Sequence, residues 1–117
     1  MRIGLLADLH ANREAVEACV EALQALDCRR WVALGDLVGY GADPAWVVDW
    51  VREQVGAGAI AVLGNHDQAV VAGDELSMGP AIGAASAWTR SVLDAAQLEF
   101  LRALPVQVVD EDRKSVV

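Results

Sequence analysis

Ala59-Ile60-Ala61-Val62-Leu63-Gly64-Asn65-His66-Asp67 is an apolar run that ends in a glycine, an amide, an imidazole and a carboxylate. Five consecutive apolar residues suit a short strand covered on both faces. Such a strand delivers whatever follows it to one edge of a sheet. Amide and carboxylate oxygens and imidazole nitrogens are metal-ligating or proton-carrying groups, so the ending is a metal or catalytic signal before a structural one. Its plain alternative is an Asx-type turn that opens a helix. Two earlier stretches share the design. Residues 3–7 run into Asp8-Leu9-His10, and Trp31-Val32-Ala33-Leu34 runs into Gly35-Asp36.

Between these strands the period changes. Val16, Cys19, Val20, Leu23 and Leu26 recur at helical spacing, with Arg13, Glu14, Glu17, Glu21 and Gln24 on the other face. Asn12 is the predicted N-cap. Asp43-Pro44 predicts a second helix start, with Trp46, Val47, Trp50 and Val51 as the buried face. The order strand, helix, strand, helix, strand implies right-handed crossovers and a parallel sheet, so the fold class is α/β. Ligands of such sheets gather beyond the carboxyl ends of the strands, where all three polar motifs fall. Further on, residues 81–92 read as a helix with Trp88 and Val92 inward. Asp94-Ala95-Ala96-Gln97 matches a capping box for a short helix carrying Leu98, Leu101 and Leu104, and residues 106–109 read as one more strand.

Composition narrows the function classes. At 117 residues, 55% hydrophobic and 22% charged, the chain has the make-up of one folded domain. A formal charge of −8 argues against non-specific binding to nucleic acid or anionic membranes, while leaving a phosphate substrate open if bound cations reverse the local field. Cys19 is expected to be a buried, reduced thiol on the first helix. No secretory leader is visible and no apolar run approaches the ~20 residues of a membrane span, so a cytoplasmic protein is the default.

Asp8 and His10 lie two apart just past a strand, so both side chains can turn toward one ion, and oxygen with imidazole suits manganese, iron or zinc. Asp36 could bridge two cations with its two oxygens. Asn65 offers a neutral carbonyl oxygen, and His66 a ligand or a proton donor. Both histidines of the chain lie in these motifs. The four tryptophans read as core, and Arg13 as a solvated helix residue rather than a phosphate clamp. Gly39-Tyr40-Gly41 has the look of a phosphate cradle but lacks a full dinucleotide fingerprint, and Tyr40 stays a candidate to reach substrate.

Asp8-x-His10, Gly35-Asp36 and Gly64-Asn65-His66-Asp67, in that order, resemble the first three signature blocks of the calcineurin-like metallophosphoesterases. Residues 35–44 are similar to the bacterial and archaeal branch related to diadenosine tetraphosphatase and serine/threonine protein phosphatases. The resemblance implies the first half of an α/β/β/α sandwich, and two divalent cations, manganese foremost, with iron, zinc, nickel or cobalt as alternatives. It implies Asp8 and His10 on the first ion, Asp36 bridging, and Asn65 on the second. His66 would serve the leaving oxygen, and Asp67 would orient His66. The reaction implied is two-metal hydrolysis of phosphomonoesters, phosphodiesters or nucleotide anhydrides. The partner is then a small phosphorylated substrate such as a nucleotide.

The family continues into a second half with histidine-bearing motifs, and this chain has no histidine after His66. The expectation is an incomplete domain over residues 1–111 that self-associates through an uncovered sheet face. Residues 112–117 are expected to be a non-native tail, since they can be encoded by a string resembling a sequencing adapter. The alternative is a truncated or degenerate non-catalytic module that binds metal weakly. A Rossmann-like nucleotide domain is disfavoured, because Ala7-Asp8-Leu9-His10-Ala11 supplies no glycine fingerprint.

Overall fold

The computed structural model describes residues 2–73 and 79–109. Three parallel strands, β1 (Arg2–Leu6), β2 (Cys28–Ala33) and β3 (Ile60–Ala61), lie in the order β1-β2-β3 with β2 central. Leu5 pairs with Val32 and Leu6 with Ala33, and on the other side Val32 pairs with Ile60 and Ala33 with Ala61. Helices α1 (Arg13–Ala25) and α2 (Pro44–Gly56) make the crossovers. Three further helices follow: α3 (Asn65–Ala72), α4 (Pro80–Val92) and α5 (Ala95–Ala103). The α/β class and parallel sheet expected from the apolar runs are present. The predicted tail, residues 112–117, lies outside the described residues.

One sheet face builds the main core. Leu6, Ala33 and Ala61 meet Val16 of α1 and Val47, Val48 and Val51 of α2, joined by Val70, Leu93 and Leu101. The other face gathers Val32 and Val62 with Ile3, Leu34, Ile60 and Val108. Leu5, on the edge strand of that face, remains 62% exposed. Parallel sheets are normally covered on both sides, so this face has less cover than its sequence calls for.

Local signals were obeyed at the helix starts. The Asn12 side chain accepts from Ala15 N at 3.0 Å, as an N-cap should. Pro44 occupies the first turn of α2, although Asp43 makes no side-chain capping bond. At α5 the box is reciprocal: Asp94 accepts from Gln97 N at 2.7 Å, and the Gln97 side chain accepts from Asp94 N at 2.9 Å.

Four expectations are corrected. Cys19 is exposed rather than buried, and Leu26 is also exposed. At ~100° per residue the contact stripe of α1 centres on Val16, Val20 and Leu23, and Cys19 and Leu26 fall on its flank. Trp88 and Val92 do not face inward: they are 47% and 43% exposed, and α4 buries Gly83, Ser86 and Thr89 instead. These small residues form the side on which α4 meets α3 and α2. Residues 106–109 contribute one bridging residue, Val108, rather than a strand, since valine's β-propensity needs a neighbouring ladder to be expressed. The third strand is also shorter than the apolar run. Its ladder continues only through Val62 N donating to Ala33 O at 3.0 Å, and Leu63 N turns to Pro105 O at 2.8 Å.

Leu101 is fully buried in the core, so Leu101→Ala should lower unfolding free energy in urea by about 2–5 kcal/mol. Val92→Ala should stay within about 0.5 kcal/mol of the parent, as an exposed position does. Equal losses at both would place the α4 face wrongly.

Candidate metal centre

All three polar motifs leave the carboxyl ends of neighbouring strands, and backbone hydrogen bonds then zip their loops together. Asp8 N donates to Gly35 O at 3.2 Å, His10 N to Asp36 O at 2.9 Å and Ala11 N to Leu37 O at 2.8 Å. Gly41 N returns to His10 O at 3.0 Å, and Asp43 N to Ala11 O at 3.0 Å. This register forces an unusual backbone. Asp8, His10, Ala11, Asp36 and Tyr40 all have φ between 44° and 65°, and the only other described non-glycine residue with positive φ is Asp27. Left-handed backbone costs a side-chain-bearing residue roughly 1–2 kcal/mol, so the strain is concentrated at this loop cluster.

The side chains converge. One ligand atom from each of His10, Asp36 and His66 lies within 4.8 Å of the others. His10 Nδ1 sits 3.1 Å from Val38 O. A carbonyl only accepts, so Nδ1 carries the proton and Nε2 keeps its lone pair for a cation. Asp8 Oδ1 lies 3.7 Å from that Nε2, on a side chain that is largely exposed. Asp36 Oδ1 accepts from His66 N at 2.9 Å. The Asn65 amide donates to both Asp36 oxygens at 3.2 Å, and the same amide turned over would present its oxygen to an ion. Two imidazoles and a carboxylate within this span fit a borderline divalent cation, with Asp8 beside it as a further oxygen donor.

The close approach of two motifs depends on one missing side chain. A Cβ at Gly64 would collide with the backbone nitrogen and the carboxylate of Asp36. Glycine is therefore the residue that lets the β3 turn press against the β2 loop.

Asp67 differs from its expected role. The motif suggested that it orients His66, but its Oδ1 accepts from Val38 N at 3.1 Å and its Oδ2 from Gly64 N at 3.0 Å. His66 Nδ1 is buried without a hydrogen-bond partner among the described residues. The two residues are consecutive on the first turn of α3, so their side chains point ~100° apart and cannot pair. Burial raises the Asp67 carboxyl from 3.8 to about 6, against the lowering effect of the amides of Gly64, Val38 and Leu37, with a smaller raising effect from Asp36.

Arg13 behaves as the solvated residue expected: it pairs with Glu17 at 3.0 Å and lies over the Trp46 ring at 4.9 Å. Val38 was not singled out from sequence, and Tyr40 was singled out only as a candidate to reach substrate. The Val38 backbone receives His10 on its oxygen and reaches Asp67 with its nitrogen, and a backbone group leaves no residue-type signal. The Tyr40 ring packs on both imidazoles, and only its place between two glycines hinted at a special loop.

In the metal-free chain, Asp67→Ala should leave the Val38 and Gly64 amides unpaired and lower stability by about 2–4 kcal/mol near pH 5. The folded carboxyl titrates above its unfolded value, so its contribution is complete below pH 3.8 and lost as pH rises through about 6. The wild-type advantage over Asp67→Ala should therefore shrink between pH 4 and 7. Urea unfolding across that range checks the sign, and a growing advantage would contradict it.

Comparison with known proteins places this geometry. Residues 1–115 match the family model of the calcineurin-like phosphoesterase superfamily domain. An uncharacterized protein of Methanocaldococcus jannaschii is 34% identical over 113 residues, which are 96% of this chain and 45% of that protein. The crystal structure of a metallophosphoesterase from Sphaerobacter thermophilus superposes with a TM-score of 0.77 at 38% identity, covering 96% of this chain and 44% of that one. A candidate diadenosine tetraphosphatase superposes with a TM-score of 0.69 at 27% identity, covering 90% and 43%. The chain thus spans under half the length of these relatives.

Proposed function

The chain belongs to the calcineurin-like phosphoesterase superfamily, and from that premise we propose that it forms the first half of a two-metal phosphoesterase centre. The observation that carries the reading is the convergence of His10, Asp36 and His66 at three strand ends. Asp8, His10, Asp36 and the amide oxygen of Asn65 would hold the cations. Cations held there supply positive charge against the phosphate and acidify water at neutral pH. His66 gives a proton or hydrogen bond to the leaving oxygen. Asp67 keeps the loops of β2 and β3 in register. Likeness to a candidate diadenosine tetraphosphatase supports a nucleotide anhydride among the substrates, beside phosphomonoesters and phosphodiesters.

A manganese titration with an aryl phosphodiester tests this, on the chain as given and on a form extended to the length of its relatives. Metal-dependent turnover by the extended form, reduced to background by Asp36→Asn, is the expected result. Full-rate turnover by the short chain would refute the need for ligands from a second half. The non-catalytic reading rests on the same shortfall in length, and it would be supported by an extended form that binds manganese without turnover.

We further infer that the chain self-associates through the sheet face where exposed Leu5 stands beside the partly buried Ile3, Leu34 and Ile60. Sedimentation should show dimers or larger species that Leu5→Lys shifts toward monomer. A concentration-independent monomer would rule this out.

A further inference from the structure

Gly39-Tyr40-Gly41 is the motif to which the proposed function gives no role. Tyr40 has φ 65°, a conformation unfavourable for a bulky side chain, and the residue is 62% exposed. Core burial therefore does not explain why the loop holds it there. What the conformation achieves is contact. The Tyr40 ring lies 5.0 Å from His10 at an interplanar angle of 70°, and 4.8 Å from His66 at 51°. The two imidazoles are 4.9 Å apart at 84°. Edge and tilted contacts at these distances are the attractive arrangements of aromatic rings.

His66 needs such contacts. Its Nδ1 is buried with no hydrogen-bond partner among the described residues, and Asp67 faces the loop amides instead. Rotation about the outer torsion of a histidine is soft and roughly two-fold, so ring packing bears directly on which way this imidazole faces. The rings of Tyr40 and His10 pack on it, and a Cβ added at Gly39 would meet His66 Nδ1 at 3.0 Å. A proton donor must stand within hydrogen-bond reach of its acceptor, so ring orientation governs whether His66 can act.

We propose that Tyr40 is a positioning residue that holds the His66 imidazole in line with the leaving oxygen. This rests on the role given to His66 above. The contacts run through the ring, so phenylalanine preserves the function and leucine does not.

The leaving group tests it. An alkyl ester leaves as a basic alkoxide that needs a proton, whereas 4-nitrophenolate leaves without one. In the extended protein, Tyr40→Leu should lower kcat by about 10- to 100-fold on an alkyl phosphoester and by less than about threefold on the 4-nitrophenyl ester, with KM little changed. Tyr40→Phe should restore wild-type kcat on both. Equal losses on the two esters would overturn the proposal. So would a larger loss on the aryl ester expressed in KM, which would make Tyr40 a substrate contact. A wild type that hydrolyses neither ester would defeat the phosphoesterase reading and this proposal with it, whereas equal losses defeat only the role of Tyr40. A second readout needs no turnover. The chain has one tyrosine and two histidines, so nuclear Overhauser contacts from the Tyr40 ring to both imidazoles are assignable in the metal-free protein. Their absence would overturn the proposal.

Discussion

The buried carboxylate of Asp67 holds the three strand ends in one arrangement. It accepts the Val38 amide from the loop after β2 and the Gly64 amide from the turn after β3. Val38 in turn accepts His10 through its carbonyl, so one residue links the motifs that follow β1, β2 and β3. A carboxylate this deep is expensive to ionise, and its raised pKa of about 6 records that desolvation outweighs the hydrogen bonds it receives. The bracing and the electrostatic tension have the same origin: a charge-capable group was placed where two backbone donors needed an acceptor.

Around that brace the backbone is held away from its preferred conformations. Ala11 and Asp36 in left-handed conformation would relax if the loops separated. They are kept in place by the amide ladder between residues 8–11 and 35–37, which continues the pairing of β1 and β2 beyond the strands. The backbone of the site is thus an extension of the sheet, joined by strand pairing and by the Asp67 brace. This explains why exposed side chains such as Asp8 and Asn65 can still be held near a common point.

The clearest sequence signals were those backed by a local physical rule. Asn12, Pro44 and the Asp94–Gln97 box start helices because each supplies or spares a partner for an orphan amide, whatever the remaining chain does. Hydrophobic periodicity was a weaker guide to which face is buried. It grouped Cys19 and Leu26 with Val16, and placed Trp88 and Val92 inward, because apolar character does not record the width of the contact or the need for small residues where helices approach closely. Gly83, Ser86 and Thr89 carry that packing without looking like a core.

By itself, the sequence determined the α/β order and the placing of three polar motifs at strand ends, because element order is a local property. Their partners were decided only in three dimensions. Whether Asp67 meets His66 or two backbone amides depends on how the β2 loop lies against the start of α3. The ring contacts of Tyr40 depend on a loop conformation set by hydrogen bonds from another strand end. Side-chain identity names what a group can do, and the distances that select among those uses come from how the loops register against one another.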